Sequence, residues 1–301
     1  EDSSGKKLGY RWKHPITDLK RDLELLKPSV FIADREFTLA RKVFAEEIIG
    51  DILPVRIKNN SLFWHVAPSM HIVDLMGLEH MMIALADYPD EMHELYRFLR
   101  DDIRRFIRWQ EEEELLTLNN ENDYVGAGSY GFTEELPSVD HNKTWQVISG
   151  DLWGNMNSQE TVGISPSMYG DFIFPYYRDL AGEFGLIYYG CCEPVHDIWK
   201  DYLSKLPNLR KVSVSAWSNE EFMGDVLRGS NVIYSRKPSP NFVGVGSFDE
   251  EAYSAHILRT LNAARGCHTE LIFRDVYTLS GDISKPGKAV SIARGLIDRV
   301  W

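Results

Sequence analysis

The segment YYGCCEP, Tyr188 to Pro194, carries the densest chemistry in this sequence. An apolar run breaks at Gly190, presents two adjacent thiols and a carboxylate, and then turns at Pro194. Thiolate is a soft ligand suited to zinc, and one carboxylate can complete a site, so Cys191, Cys192 and Glu193 are candidate metal ligands. Strand alternation would place Tyr189, Cys191 and Glu193 on one face, with Gly190 and Cys192 on the other. The plainer alternative is a pair of small core residues, since free Cys is among the most buried types. Glu193 weighs against it, because a carboxylate is costly to bury without a partner.

Other candidates are more dispersed. In SQETVG (158–163), Glu160 stands just before a helix opening at Ser165-Pro166, as a ligand, a base or a surface carboxylate. Asp275 ends the last apolar run, as a ligand or acid/base group, or as the ion-pair partner of Arg274. His65 and His196 are single histidines, more often satisfied side chains than ligands. Cys267 precedes its strand and reads as structural. Residues 111–114, all Glu, read as a solvated helix end. Gly126-x-Gly128 does not fit the dinucleotide fingerprint, because no helix follows it directly.

The elements that must position these groups alternate between two kinds. Residues 38–49 carry apolar positions at helical spacing, as do residues 90–114. ILPVRI (52–57), LFWHV (62–66) and LLTLN (115–119) are strand-like, and a Gly-rich polar stretch to about Asp140 is long enough to be a functional loop. QVISGDLWG (146–154) follows, then a helix capped by Ser165 and opened by Pro166, running to about Gly182. GLIYYGCC (185–192), KVSVSAW (211–217), NVIYSRK (231–237) and ELIFRDV (270–276) close the chain as four apolar runs between helical segments. Near-continuous apolar strands alternating with helices predict a buried parallel sheet. Seven or eight such strands favour a (β/α)8 TIM-type barrel whose first strand is weak or missing at the N-terminus. The expected organisation is a single domain over 1–301, with 1–50 as a helical lead-in. A missing first strand would leave an open seam, which a homodimer could cover.

Ligands of parallel α/β folds bind at the carboxyl ends of strands. The polar groups expected there are His65, Asn119-Asn120-Glu121, the Cys191-Cys192-Glu193 run, Trp217, Arg236-Lys237 and Arg274-Asp275. Of these, His65, Asn119, Asn120, Trp217 and Arg236, together with Trp153, are candidate substrate contacts. Glu160, Glu193, Asp275 and Tyr189 are candidate catalytic groups.

The net charge of −12 argues against nucleic acid or an anionic membrane as partner, since both reward clustered Lys and Arg. No apolar stretch reaches the roughly 18 residues a membrane span needs. The opening EDSSGKKLGYRWKH lacks the apolar core of a signal peptide. Three Cys, two of them adjacent, make no disulfide framework, and a reducing, cytoplasmic compartment is expected.

Taken in order, DLWGNMNSQETVGISPSMYGDFIFPY, YYGCCEPVHDIW, PNLRKVSVSAW, YSRKPSP and ELIFRDVYTLSGD resemble the uroporphyrinogen decarboxylase-like superfamily, in the branch of corrinoid-dependent methyltransferases and related anaerobe proteins. The resemblance implies a (β/α)8 barrel. It also implies zinc, held by a His-x-Cys pair on a mid-barrel strand and a distal Cys. A methyl group would pass between a small methylated substrate, such as a methoxylated aromatic or a methylamine, and the cobalamin of a small corrinoid protein docked over the barrel mouth. Tyr189 falls where the His would be and Cys191 where the first Cys would be, while the distal Cys falls near 275–277, where this sequence has none. Zinc would then need a substituted set drawn from Glu160, Cys191 or Cys192, Glu193 and Asp275. The arginine-bearing loop with which uroporphyrinogen decarboxylases grip a tetrapyrrole has no counterpart here. Decarboxylation of a pyrrole-like acid, or a non-catalytic barrel that docks a corrinoid protein, are the alternatives.

Overall fold

The structure is a computed structural model that describes residues 12–59, 66–137 and 146–301. Its centre is a five-stranded parallel sheet of β3 (Trp153–Met156), β4 (Leu186–Tyr189), β5 (Leu209–Val214), β6 (Ile233–Arg236) and β7 (Thr269–Leu271). The strands are hydrogen-bonded in the order of the chain, without the reversal that defines a doubly wound sheet. Sequential parallel strands with helical crossovers are an arrangement that β/α barrels share, and among the described residues five of them form one sheet.

The eight-strand closure expected from the sequence is not shown. Residues 52–57 pair with no strand among the described residues, and Ile52, Leu53 and Ile57 are exposed, so this run lacks the burial that would favour a sheet. Residues 62–65 lie outside the described residues. Residues 115–119 also form no ladder, but Asn119 substitutes for one with its side chain. Its Oδ1 accepts from the Trp153 N–H at 2.9 Å and its Nδ2 donates to the Trp153 carbonyl at 3.0 Å. The free edge of β3 is thus satisfied by one carboxamide.

Period-two alternation sorts the sheet into two faces. Met156, Ile187, Tyr189, Val212, Val214 and Tyr234 enter the main apolar core. One helix packed there, Pro89–Glu112, opens on a proline and buries Leu95, Leu99, Ile103 and Ile107 in a single stripe. The opposite face carries Trp153, Asn155, Tyr188, Lys211, Ser213, Ser235 and Lys237. A tight hairpin, β1 (Tyr124–Gly126) and β2 (Ser129–Tyr130), lies over it. The stretch expected to be a long functional loop is therefore in part a plug. Gly126, at φ +113°, lies so close to Asn155 that a Cβ would stand 2.3 Å from its side chain. Ser129 bonds Glu270 at 2.8 Å and Lys211 at 2.9 Å, tying the hairpin to β5 and β7.

The helix predicted from Ser165 to about Gly182 is present but composite. Ser165 caps it by accepting from the Met168 N–H, and a π turn, Tyr169–Ile173, precedes Phe174–Ala181. The wide turn comes just before Pro175, which has no N–H for a regular bond one turn back. Glu111, expected in solvent, is buried: it accepts from the Ser149 N–H and hydroxyl at 2.8 and 2.7 Å and pairs with Arg108.

Candidate active site

At the carboxyl end of β4 the chain leaves the sheet through Gly190, whose φ of +98° only glycine adopts without strain. That turn overrides the alternation expected for Tyr189, Cys191 and Glu193. Tyr189 points into the core, where its hydroxyl meets those of Ser158 at 2.6 Å and Tyr169 at 3.0 Å. Cys191 instead joins Trp153 and Tyr188 in the cluster on the opposite face. Glu193 is buried and folds back over the turn, accepting from the Cys191 N–H at 2.8 Å and the Ser158 N–H at 3.1 Å. It stitches the end of β4 to the end of β3.

The two thiols lie 3.5 Å apart, Cys191 buried and Cys192 partly exposed. The hydrogen bond between them, together with burial, pushes the Cys191 thiol up. The same bond, helped by the charges of Arg274 and Lys237, brings Cys192 down to about 7, with burial and the Asp275 carboxylate opposing. Arg274 places Nη1 3.5 Å from the Cys191 sulfur and pairs through Nε with Asp275 at 3.2 Å. Asp275 is held at φ +61°, a left-handed conformation.

At the end of β6, Lys237 is 4% exposed. Its Nζ donates to the Tyr188 hydroxyl at 2.9 Å and to Ser213, and it lies 5.3 Å from the centre of the Tyr188 ring. Burial lowers the ammonium to about 8, against the attraction of Cys191, Glu193 and Cys192. Lys237 appeared in the sequence only as one polar strand end among many. The period-two run Lys211, Ser213 in register with Ser235 was the signal that could have put it on the hairpin face with Tyr188.

Glu160 follows β3 in a short 3-10 turn and accepts from the Ser69 hydroxyl at 2.9 Å. Burial raises its carboxyl, and the Glu193 charge adds to the rise. Ser69 also meets the Tyr177 hydroxyl at 2.7 Å, which donates to the Asn157 carbonyl at 2.7 Å. Nothing in the sequence pattern marked Ser69 or Tyr177.

The remaining candidates separate from this centre. Arg236 is 1% exposed on the helix side of β6, held by Glu220 at 2.6 Å, by Thr260 and by the Val214 and Ser215 carbonyls. These bonds give it a structural place where a substrate contact was expected. Asn119 is occupied by β3, Asn120 donates to the Leu136 carbonyl at 2.7 Å, and the Trp153 indole donates to the Gly131 carbonyl at 2.9 Å. His196 accepts from the Asn219 N–H, and Cys267 packs in the core on the amino side of β7. His65 lies outside the described residues. Trp217 is 75% exposed after β5, and Val162, Val245 and Tyr277 are exposed in the segments that follow β3, β6 and β7.

The zinc ligand set implied by the resemblance is not assembled. Among the described residues no group of three or more His, Cys, Asp or Glu side chains is placed to hold a metal ion. The donor set explains why: both Glu193 oxygens serve backbone amides, Asp275 is paired with Arg274, and Glu160 is engaged by Ser69. Two adjacent thiols remain, fewer than the three or four protein ligands of a zinc site.

No protein-family model matches the chain, and no curated protein matches it. Among solved structures it is similar to a methyltransferase from Methanosarcina mazei, at 12% identity and a TM-score of 0.49, over 84% of this chain and 62% of that one. The chain thus spans less than two thirds of the length of that protein. At this level of similarity the chemistry is read from the side chains alone. What the fold and site define is an α/β protein with a thiol pair, a buried ammonium and a guanidinium after the carboxyl ends of three strands of one parallel sheet. No helix among the described residues is long and apolar enough to cross a membrane.

Proposed function

We propose that this chain is a methyltransferase component that moves a methyl group from a small methylated substrate to a corrinoid protein. The observation that carries the reading is the Cys191–Cys192 pair, whose sulfurs lie 3.5 Å apart beside Arg274. Removing a methyl group from oxygen or nitrogen requires a proton for the departing heteroatom. An acid with a pKa near the working pH delivers it best, and Cys192, at about 7, sits in that range. Its thiol donates the proton, and Cys191 and Arg274 hold the sulfur left behind. Glu160, its carboxyl raised by burial, is a second acid at the end of the neighbouring strand. The partner's corrinoid would supply the group that accepts the methyl. The exposed Val162, Trp217, Val245 and Tyr277 in four strand-end segments offer apolar surface of the kind a docked protein covers.

Incubating the protein with reduced cobalamin and a panel of methoxylated aromatics and methylamines should yield methylcobalamin, followed by its absorbance, and Cys192→Ala should abolish it. A second reading, decarboxylation of a pyrrole-like acid, is favoured by the buried Lys237, a cation suited to a carboxylate. Carbon dioxide release from pyrrole carboxylic acids, with no methylcobalamin from any of the panel, would overturn methyl transfer in its favour.

A further inference from the structure

We propose that Lys237 and Arg274 form a cradle for a carboxylate seated beside Cys192, so that the methylated substrate is a small carboxylic acid. The proposal rests on the methyl-transfer reading for what happens to the substrate, and on the geometry alone for what is bound.

A buried cation needs an anionic or strongly polar partner. Two other buried cations at the sheet each have a carboxylate: Arg236 has Glu220 at 2.6 Å and Lys211 has Glu270 at 3.6 Å. Lys237 has two hydroxyls, Tyr188 and Ser213, and no carboxylate within ion-pair distance among the described residues. An ammonium has three N–H groups, so one remains. The carboxylates that could have served it are committed, Glu193 to the backbone amides of Cys191 and Ser158, and Asp275 to Arg274. Arg274 spends Nε on Asp275 and turns Nη1 toward the Cys191 sulfur, while its Nη2 has no acceptor among the described residues. Arg274 is half-buried, Lys237 is buried, and the two cations are near enough for the charge of one to oppose that of the other. A carboxylate between them gains a charge-assisted bond from each and displaces no existing ion pair. Its substituent then lies against Cys192, the one partly exposed sulfur. A simple methylamine has no group for this cradle, whereas a methoxylated aromatic acid does.

The test uses two alkylating agents that differ in charge. The Cys192 sulfur attacks the methylene carbon of iodoacetate or iodoacetamide, the S–C bond forms, the C–I bond breaks and iodide leaves. Mass spectrometry of the Cys192 peptide counts each product. An anion cradle makes native Cys192 favour iodoacetate over iodoacetamide by about tenfold relative to the same residue in urea, the worth of one charged contact. Benzoate should protect the native sulfur, and Lys237→Met and the more exposed Arg274→Gln should each return the ratio to its value in urea. A native ratio equal to the ratio in urea, in protein whose circular dichroism shows it folded, overturns the cradle. The two readings fail separately. Iodoacetate preference without methyl transfer keeps the cradle and overturns the methyltransferase. Methyl transfer from a methylamine without iodoacetate preference does the reverse.

Discussion

The sulfur of Cys191 lies 3.5 Å from that of Cys192, and the contact pushes the Cys191 thiol up while it brings the Cys192 thiol down. Two neighbours with the same intrinsic acidity are split first by the hydrogen bond between them, and then by the deeper burial of Cys191 and the charges of Arg274 and Lys237. The hydrogen bond from Cys191 is the largest single cause of Cys192's acidity. Alkylation of Cys192 by iodoacetamide should therefore rise with a midpoint near pH 7. In Cys191→Ala the midpoint should move up toward the ordinary thiol range, near 8.5. An unmoved midpoint would mean that the cations, and not the neighbouring thiol, set the acidity.

Lys237 lowers stability where it is charged. Its ammonium titrates at about 8 in the fold against 10.5 in the free side chain. The unfolded chain therefore binds the extra proton between those values, and stability rises with pH across that window. Below about pH 8 the full penalty stands, on the order of 3 kcal/mol for this nearly fully buried group. Relative to Lys237→Met, the wild type should gain stability from pH 8 to 10.5 in urea titrations. A difference that is flat with pH would contradict the burial described here.

The Arg236–Glu220 pair is the opposite case, a buried ion pair in which four of the five guanidinium N–H groups are satisfied. Removing one partner strands the other charge, so Glu220→Ala should cost about 3–5 kcal/mol. Replacing both with apolar residues of similar size should recover most of that loss in a double-mutant cycle. A single-mutant loss below about 1 kcal/mol would show that Arg236 finds solvent, as an exposed pair would.

Gly190 positions the thiols. At φ +98° an added methyl is strained, and it would also stand 3.0 Å from the Ser213 Cβ. Gly190→Ala should cost about 1–3 kcal/mol. It should also shift the Cys192 alkylation midpoint, because the turn aims both sulfurs. Lost stability with an unchanged midpoint would separate the turn from the site.

The sequence showed the sheet more clearly than the site. The four apolar runs of the last third each hold a strand, because buried parallel strands need continuous apolar residues, and Ser165 caps its helix as its type and spacing predict. Residues 115–119 misled because Asn119 pairs with β3 through its side chain, a contact no backbone pattern encodes. Tyr189 and Cys191 were placed on one face by a rule that holds only until the chain turns, and one glycine conformation reversed it. Glu111 read as solvent-facing because a row of four carboxylates does not reveal that one of them meets Ser149. Lys237 was visible as a residue but not as a buried one, since its partners Tyr188 and Ser213 come from two other strands.

The β1–β2 hairpin also fixes an order of events. Ser129 meets Glu270 across 141 positions of sequence, and Lys211 is held by both. While the chain is being synthesised, the hairpin, β3, β4 and β5 all emerge before the carboxylate that neutralises Lys211 exists. The nascent sheet must wait, with an unpaired ammonium on its inner face, until β7 leaves the ribosome. Closure over such a separation is slow because the chain entropy is lost before the contact forms. A product cut short before β7 would lack the carboxylate that pairs with Lys211, and with it the Arg274–Asp275 pair beside the thiols.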